Sequence, residues 1–240
     1  MIPSLIFQDD DVMIVDKPPG MVVNRAESVK TETVQDWVEK QMTEDGERRT
    51  EENKEFIDRA GIVHRIDKET SGILLIAKNP ASFYELQRQF KEREVKKTYL
   101  ALVHGIIAEQ GEVNVPIGRL PWNRERFGVV PGGKESVTKF KRVSNNELRT
   151  TNDEPISLVE VYPETGRTHQ IRVHLKYIGY PLLGDYLYAG RKQSRDDRKD
   201  IPRVMLHAWK ISFTHPKSGK PLAYEAPIPD DIKRILNFQF

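Results

Sequence analysis

The sequence predicts a globular fold that contains both helices and strands, and three observations support this. Of the 240 residues, 38% are hydrophobic and 8% aromatic, which is enough to bury a sizeable core. Short β-branched runs, such as residues 73–77, alternate along the chain with segments at helical spacing, such as residues 33–42. No window approaches the roughly 18 apolar residues of a membrane span. We therefore expect one large domain or two small ones.

The composition excludes several kinds of chemistry. The chain contains no cysteine, which rules out disulfides, thiolate nucleophiles and cysteine-based zinc sites. Its N-terminus lacks a basic region followed by an apolar run and a small-residue cleavage site, so the sequence shows no secretory signal. We expect a cytoplasmic monomer with no membrane partner.

Charge leaves nucleic-acid binding open. The net charge is only +2, but basic residues gather at 88–97, 119–142 and 191–198, while acidic residues crowd 44–58. A basic stripe on a nearly neutral protein can follow phosphates. The competing interpretation is that these runs are solvated faces of mixed charge.

The N-terminal elements can be assigned from local pattern. Residues 5–16 predict two short strands around an acidic turn, and Lys-Pro-Pro-Gly at 17–20 ends the second strand. Apolar residues at helical spacing predict a helix over 33–42. Residues 43–55 are polar and acidic without periodicity, so we expect a flexible loop without a chemical role.

The central elements follow a polar cluster. Residues 73–77 predict a buried strand, and Asn79 with Pro80 predicts the start of a helix, with asparagine as the cap and proline at the first helical position. Further strands are expected over 97–105 and 157–162.

A short amphipathic helix is expected after residue 168. Ile171, Leu175 and Ile178 lie at i, i+4 and i+7, a cap is expected near Thr168, and Gly179 ends the run. His169 and His174 could suggest a metal site, but their spacing of five and the lack of a carboxylate in the helix argue against it.

The C-terminal part predicts a loop, two extended segments and a helix. Residues 190–201 are expected to form a flexible loop. The alternating residues 206–214 predict a strand, residues 221–227 an extended segment, and residues 232–240 a closing helix.

Two stretches are candidates for function. The first, residues 61–78, packs seven polar side chains immediately before the buried strand, namely His64, Arg65, Asp67, Lys68, Glu69, Thr70 and Ser71. Such a cluster is costly unless the groups satisfy one another or meet a ligand. The alternative is a plain turn, because Asp, Thr, Ser and Gly all favour turns.

The second stretch, residues 118–136, interleaves basic and aromatic residues. Its members are Arg119, Trp122, Arg124, Arg126, Phe127 and Lys134. Such a composition suits an RNA-contacting loop that binds phosphates and stacks on bases. A plain exposed hairpin tip is the competing interpretation.

Four motifs resemble those of the RluA-type pseudouridine synthases. HRIDKETSG at 64–72 differs from that family's HRLDxxTSG motif by one apolar exchange, and KPPG at 17–20 is similar to its KPxG element. KTYLALVHG at 97–105 and GRTHQIRVHL at 166–175 are similar to its tyrosine strand and its third signature. The resemblance spans 1–240 and implies an α+β pseudouridine synthase fold, a single catalytic domain with a long, bent, mostly antiparallel sheet flanked by helices. Too few residues precede KPPG for the small N-terminal RNA-binding domain of some relatives.

The resemblance implies a reaction and roles for the residues that match. Uridine in rRNA or tRNA would be isomerised to pseudouridine without cofactor or metal. Asp67 would be the nucleophile, Arg172 its ion-pair partner, and Tyr99 the ring on which the flipped base stacks and a candidate for removing the proton from carbon 5. Arg65 would fill the gap left by the base. From the sequence alone, Tyr99 could equally be a core aromatic residue.

The remaining candidates support these roles. Ile171 and Leu183 are expected to form apolar walls, and His64 to brace the loop rather than move protons. The other candidate RNA-binding residues are Thr70, Arg119, Arg124, Arg126, Lys134 and Arg167.

Two other functions remain as alternatives. A catalytically inactive RNA-binding protein could have the same fold. A carboxylate hydrolase, such as a nucleosidase, would need a second acid near Asp67, for which Glu69 is a candidate.

Overall fold

A computed structural model describes residues 2–42, 50, 53–143, 148–150, 153–197 and 200–236, without the side chains at 124, 125 and 192. The strands are β1 (Ser4–Gln8), β2 (Val12–Lys17), β3 (Ser71–Ala77), β4 (Lys96–His104), β5 (Gln110–Asn114), β6 (Ile117–Leu120), β7 (Asn123–Val129), β8 (Val137–Arg142), β9 (Leu148–Arg149), β10 (Pro155–Pro163), β11 (Leu206–Thr214) and β12 (Pro221–Glu225). The helices are α1 (Val34–Met42), α2 (Lys54–Asp58), α3 (Pro80–Lys91), α4 (Gln170–Tyr177), α5 (Arg191–Asp197) and α6 (Asp230–Ile235). These elements confirm the expected α+β class.

The chain forms two compact units, and each is described here by itself. Unit 1 comprises Met1–Lys96 and Ala208–Pro227, and unit 2 comprises Lys97–His207 and Ile228–Phe240. Among the described residues, no helix combines the length and apolar character needed to cross a bilayer.

Unit 1 is built around β3. This strand pairs antiparallel with β2, which pairs antiparallel with β1, and β11 lies on the other side of β3 and pairs antiparallel with β12. Every residue of β3 is buried. Its apolar side chains pack with Phe56 of α2 and with Phe83 and Leu86 of α3. A strand covered on both faces needs a continuous apolar run, which explains the sequence of residues 73–77.

Local signals in unit 1 begin its helices as the sequence predicts. The Asn79 side chain accepts a hydrogen bond from the backbone N–H of Ser82 at 2.9 Å, and Pro80 occupies the first turn of α3. At the start of α1, the Thr33 backbone N–H donates to Asp36 Oδ2 at 2.8 Å, and the Asp36 N–H donates back to Thr33 Oγ1. The predicted strands over 5–16 and the helix over 33–42 are confirmed.

Unit 2 contains an antiparallel sheet and a separate hairpin. The sheet has the order β4-β10-β8-β5, with β9 also paired to β10, and Tyr99 of β4 lies opposite Val161 of β10. Strands β6 and β7 form a two-stranded sheet of their own. The predicted strands over 97–105 and 157–162 are confirmed here, and the predicted strand over 206–214 is confirmed as β11, described above with unit 1.

The segment 118–136 was expected as an RNA-contacting loop, with an exposed hairpin tip as the competing interpretation. It contains most of the β6–β7 hairpin. Lys134 joins the hairpin because its backbone N–H donates to Ile117 O at 2.8 Å and its carbonyl accepts from Ile117 N at 2.9 Å. These backbone pairs give the stretch a regular structure that its Gly- and Pro-containing sequence conceals.

Residues 190–201 also differ from the expected loop, because α5 occupies residues 191–197. This helix lacks an apolar stripe and is held by tertiary contacts instead. The Asp197 carboxylate accepts the backbone N–H of Gly184 at 2.7 Å and lies 3.1 Å from His104 Nε2. Both partners are distant in sequence, so local pattern could not reveal the helix.

The other segments follow the prediction in part. Residues 43–49 and 51–52 of the expected loop 43–55 lie outside the described residues, and α2 begins at Lys54. The last helix begins at Asp230, before the expected 232, and residues 237–240 lie outside the described residues.

The glycine that ends the HRIDKETSG motif has a steric role. Gly72 pairs with Lys17 across β2 and β3 and has a φ of +108°. A Cβ atom at this position would lie 2.2 Å from the carbonyl oxygen of Ala208. The close approach of β3 to β11 therefore requires a residue without a side chain.

We expect Gly72→Ala to lower the free energy of unfolding by about 3 kcal/mol or more, because backbone strain and overlap with the Ala208 carbonyl act together. Urea denaturation followed by circular dichroism measures this change. Gly219→Ala is the matched control, since Gly219 also has a positive φ of +68° but has open space around the added Cβ. Equal destabilisation by the two variants would contradict the steric argument.

Candidate active site

The polar cluster of the sequence forms the loop between α2 and β3 in unit 1. His64 braces this loop, because its Nε2 atom accepts the backbone N–H of Leu75 in β3 at 2.9 Å. Its ring also stacks on Phe90 of α3 with centroids 4.8 Å apart. Because Nε2 is an acceptor here, the imidazole is held as a neutral structural group.

Lys17 holds the same loop from the other side. This side chain is 0% exposed, and its Nζ donates to the carbonyls of Pro18 at 2.8 Å, Met21 at 2.9 Å and Lys68 at 3.0 Å. The Gly20 backbone N–H donates to the same Lys68 carbonyl at 2.8 Å. The Lys-Pro-Pro-Gly turn is therefore attached to the residue directly after Asp67.

The other members of the loop differ in exposure. Asp67 is half-buried, and its carbonyl accepts the Thr70 backbone N–H at 3.1 Å, which closes a tight turn. Arg65 is exposed, whereas Thr70 is only 2% exposed. The loop thus presents a carboxylate and a guanidinium and buries its threonine, whose predicted RNA contact has no accessible surface in this structure.

Helix α4 of unit 2 is attached to β8 through a buried amide. Gln170 Nε2 donates to Val137 O and to Thr138 Oγ1, each at 2.9 Å, and Gln170 Oε1 accepts from Thr165 Oγ1 at 2.7 Å and from Arg167 N at 3.0 Å. All four hydrogen-bonding positions of the amide are used. A satisfied buried amide defines the position of the helix.

The same helix contains a fully buried histidine. His174 Nε2 donates to Val115 O at 3.1 Å, so its Nδ1, 2.9 Å from Thr138 Oγ1, accepts the hydroxyl hydrogen. Burial lowers the pKa of His174 below its usual value, which keeps the ring neutral. Both ring nitrogens are therefore used in packing α4.

Helix α4 begins at a residue in an unusual conformation. The cap is His169 rather than Thr168, and it adopts the left-handed region at φ 56° and ψ 20°. A non-glycine residue there is strained unless its surroundings hold it. The His169 ring is held by Tyr188, whose hydroxyl lies 2.8 Å from Nδ1.

Arg172 lies in the first turn of α4 and forms a buried ion pair. Its Nε donates to Asp185 Oδ2 at 2.8 Å and its Nη2 to Asp185 Oδ1 at 2.9 Å. Its guanidinium carbon lies 4.9 Å from the centre of the Tyr188 ring. The Asp185 side chain is 0% exposed and also accepts the backbone N–H groups of Leu187 and Tyr188. A bidentate pair of this kind fixes the plane of the guanidinium.

The other predicted residues of unit 2 are mostly buried. Tyr99 in β4 is 9% exposed, and Ile171 and Leu183 are 6% and 0% exposed. Lys97 precedes Tyr99 by two residues, so both side chains lie on the same face of β4. Burial lowers the pKa of Lys97 to about 8.

The basic candidates lie on and around the hairpin. Arg119, Arg126, Lys134 and Arg167 are exposed, and the backbone of Arg124 is in β7. The Arg119 guanidinium lies 5.1 Å from the centre of the Phe127 ring. Trp122, at the tip of the hairpin, is 79% exposed. An exposed indole among cations is typical of nucleic-acid-binding surfaces.

Sequence reasoning missed three important residues. Lys17 is a sequence candidate only as part of the KPPG motif, and neither Asp185 nor Tyr188 is a sequence candidate. Asp185 follows Arg172 by 13 residues, and Lys17 precedes Lys68 by 51, so no local periodicity connects them. The signal that could have found Lys17 and Asp185 is their charge within apolar or turn-forming segments, since a buried charge needs a partner.

One group in the described part of the chain has metal-ligating side chains close together, namely Asp9, Asp11 and His215 in unit 1. Their atoms already take part in hydrogen bonds. Asp9 Oδ2 lies 2.9 Å from His215 Nε2, and Asp9 Oδ1 accepts the backbone N–H groups of Asp11 and Val12. His215 Nδ1 accepts the Lys217 and Ser218 N–H groups. These hydrogen bonds join the turn at Asp9 to the turn at His215, which accounts for the close approach of the side chains.

We expect Asp185→Asn to lower the free energy of unfolding by about 3–5 kcal/mol, because it leaves the buried Arg172 guanidinium without a counter-charge. Urea denaturation measures the change. Glu85→Gln is the matched control, since Glu85 accepts from the Nε and Nη2 atoms of Arg88 in the same bidentate way but the Arg88 side chain is 42% exposed. If Asp185→Asn costs no more than this control, the ion pair does not have the importance that we assign to it.

Comparisons with known proteins agree with the motifs. Residues 11–177 match the family described as RNA pseudouridylate synthase. The chain is 39% identical to ribosomal large subunit pseudouridine synthase D of Nitrosomonas europaea. The 237 aligned residues cover 97% of this chain and 64% of that protein. It is also 39% identical to the uncharacterized RNA pseudouridine synthase YlyB of Bacillus subtilis, over 97% of this chain and 71% of that protein.

Two of the first relatives, both from Neisseria meningitidis, are covered over only 61% of their length. The chain therefore spans less than two thirds of the first curated relatives that it matches. Among solved structures, human RNA pseudouridylate synthase domain containing 1 superposes with a TM-score of 0.71 and 26% identity, over 97% of this chain and 87% of that one. A second human protein, RNA pseudouridylate synthase domain containing 4, has a TM-score of 0.70 at 20% identity and supports the fold alone.

Proposed function

The chain belongs to the RNA pseudouridylate synthase family, and from this premise we propose that it isomerises uridine in RNA to pseudouridine, with Asp67 as the nucleophile. The observation that carries this proposal is the setting of Asp67. Asp67 is half-buried on a loop that is attached to Lys17 through the Lys68 carbonyl and to the backbone of β3 through the His64 side chain. A catalytic group needs such a rigid support if it is to meet its substrate in one orientation.

A carboxylate suits the chemistry of this reaction. The bond between the base and the ribose must break, and a carbon–carbon bond must form in its place. An ionised carboxylate can attack the sugar or the base, or can stabilise positive charge on the ribose. Asp67 performs one of these steps in our proposal, and both attack routes require its ionised form.

Arg172 is proposed as the ion-pair partner of Asp67. A guanidinium keeps its charge on burial more readily than an ammonium does, and it can bind carboxylates through two parallel hydrogen bonds. Asp185 orients this guanidinium through its Nε and one Nη atom. Because Asp185 is fully buried, it acts as a support for Arg172 and not as a second reactive acid.

Tyr99 and Arg65 are proposed to act on the base. A uridine stacked in a helix is unreachable, so the enzyme must flip it out, stack it on a ring and fill the gap. Tyr99 supplies the ring and a hydroxyl that could remove the proton from carbon 5. Arg65 is exposed and long enough to fill the gap. Ile171 and Leu183 form apolar walls in this proposal.

We further propose that the substrate is ribosomal RNA of the large subunit. The support is the name of several relatives at 32–39% identity, which are called ribosomal large subunit pseudouridine synthase D. Transfer RNA is the alternative that the experiment below distinguishes.

Asp67→Asn is expected to abolish pseudouridine formation, a loss of at least about 1,000-fold, because an amide is a poor nucleophile. The assay uses purified protein and RNA from cells that lack it, fractionated into ribosomal and transfer RNA, with pseudouridine quantified in each fraction. Glu69→Gln is the matched control, two positions on and also half-buried, and it should remain active.

Retained turnover by Asp67→Asn would overturn the mechanism. Release of free uracil, with a requirement for Glu69, would indicate a hydrolase instead. RNA binding without any modification by the unmodified protein would indicate an inactive RNA-binding protein. Modification confined to transfer RNA would refute the proposed substrate and leave the reaction intact.

The β6–β7 hairpin is proposed as an RNA contact. Arg119 and Arg126 are exposed and the indole of Trp122 projects at the tip. Cations near an exposed ring can bind phosphates while the ring stacks on an unpaired base.

Arg119→Ala should weaken RNA binding about 3- to 10-fold and reduce the slope of log K against log salt by about one, because one phosphate contact is lost. Filter binding at several salt concentrations measures both quantities. Arg88→Ala is the control, since it removes the same charge from a guanidinium already paired with Glu85 and Glu94. An unchanged slope for Arg119→Ala would remove the hairpin from the proposed RNA surface.

A further inference from the structure

Tyr188 links three parts of unit 2 through a single side chain that is 9% exposed. Its hydroxyl accepts the backbone N–H of Phe127 in the β6–β7 hairpin at 2.9 Å. The same hydroxyl lies 2.8 Å from Nδ1 of His169, the N-cap residue of α4. The face of its ring lies 4.9 Å from the guanidinium carbon of Arg172. The hairpin, the start of the helix and the guanidinium therefore share one support.

The hydrogen bonds of this hydroxyl have a defined direction. A phenol has one hydrogen to donate. Because the oxygen accepts from the Phe127 N–H, its hydrogen is available for His169 Nδ1, and our inference takes Nδ1 as the acceptor of that hydrogen. Phe127 and His169 are connected by a donor–acceptor chain that passes through Tyr188.

Aromatic contacts join the same residues as these hydrogen bonds. The His169 ring packs edge-on against both Phe127, at 5.7 Å, and Tyr188, at 5.6 Å. Arg119 on the hairpin covers Phe127 at 5.1 Å. A displacement of the hairpin backbone at Phe127 would thus be passed to the Tyr188 hydroxyl and to the ring that lies against Arg172.

Tyr188 is itself fixed at the other end by Asp185. Oδ1 of Asp185 accepts the Tyr188 backbone N–H at 3.1 Å and also accepts from Arg172 Nη2. The ring of Tyr188 cannot tilt without changing the environment of this guanidinium. A rigid connection of this kind passes movement on, whereas a loose contact would absorb it.

We propose that Tyr188 is a positioning residue that couples RNA bound on the β6–β7 hairpin to the orientation of Arg172. The inference rests on the proposed function for the role of Arg172, but the physical coupling is a separate claim. RNA bound to the hairpin restrains the position of β7. The Phe127 N–H then positions the Tyr188 hydroxyl, and the Tyr188 ring holds the Arg172 guanidinium in place. Correct binding at the hairpin thereby improves the reacting geometry.

Tyr188→Phe tests this, because it keeps the ring over Arg172 and removes the two hydroxyl contacts. We expect the single-turnover rate constant at saturating RNA to fall about tenfold, the effect of one lost hydrogen bond, while the Kd for RNA changes less than about threefold. Tyr186→Phe is the matched control, because its hydroxyl donates to the carbonyl of Ile201. Its rate constant should match that of the unchanged protein.

A double-mutant cycle tests the coupling itself. In the unchanged protein, Arg119→Ala should lower both affinity and the single-turnover rate constant. In the Tyr188→Phe background it should lower affinity only, because the connection to Arg172 is already broken. Independent, multiplicative effects of the two substitutions on the rate constant would overturn the inference.

Position 169 provides a second test that does not alter Tyr188. Asparagine and glycine both tolerate the left-handed conformation of His169. Only asparagine offers an acceptor oxygen near the position of Nδ1. We expect His169→Asn to retain most of the single-turnover rate and His169→Gly to behave like Tyr188→Phe, whereas equal rates for the two variants would contradict the proposed chain.

Amide hydrogen exchange separates this inference from the proposed function, because it needs binding and no turnover. Large-subunit ribosomal RNA from cells lacking the protein should slow exchange in β6, β7 and α4 of the unchanged protein. With Tyr188→Phe, protection should persist in the hairpin and be lost in α4. Retained protection of α4 would overturn the coupling, whereas failure to form pseudouridine with the coupling intact would count only against the proposed function.

Discussion

The need of buried cations for partners determines the local structure around both candidate catalytic segments. Arg172 is charged at any pH that the protein meets, so its burial requires a counter-charge with matching geometry. Asp185 provides it through two hydrogen bonds, and the same carboxylate accepts two backbone N–H groups of the turn that follows. The turn that contains Leu183 and Tyr188 is organised around this ion pair.

The same constraint acts in unit 1 with a different solution. Lys17 is more deeply buried than Arg172, and the described partners of its ammonium are three backbone carbonyls, those of Pro18, Met21 and Lys68. An ammonium has three hydrogens and can satisfy three acceptors. The Lys-Pro-Pro-Gly turn and the Asp67 loop are thereby held together from within. Each unit therefore uses a buried cation to define the backbone beside a proposed reacting group.

Strained backbone positions mark the same regions. Gly72 has a positive φ where β3 approaches the Ala208 carbonyl, and His169 has one where α4 begins. Strain at His169 is offset by its contacts with Tyr188 and Phe127. Tertiary contacts also determine the structure of residues 190–201, which local pattern predicts as a loop and which contain α5. The carboxylate of Asp197, for example, binds Gly184 and His104, which no pattern within residues 190–201 could indicate.

The sequence by itself determined the elements with strong local signals and the polar cluster before β3. A buried strand must be apolar throughout and Asn79-Pro80 begins a helix by its own chemistry, so both could be predicted from their neighbours. The candidates Asp67, Tyr99 and Arg172 came from motifs that resemble a known family. Only the tertiary structure decided what supports two of them, because Lys17 meets a carbonyl 51 positions away and Arg172 a carboxylate 13 positions away. Hydrogen bonds between residues so far apart in sequence depend on the tertiary fold, and no local sequence pattern encodes that fold.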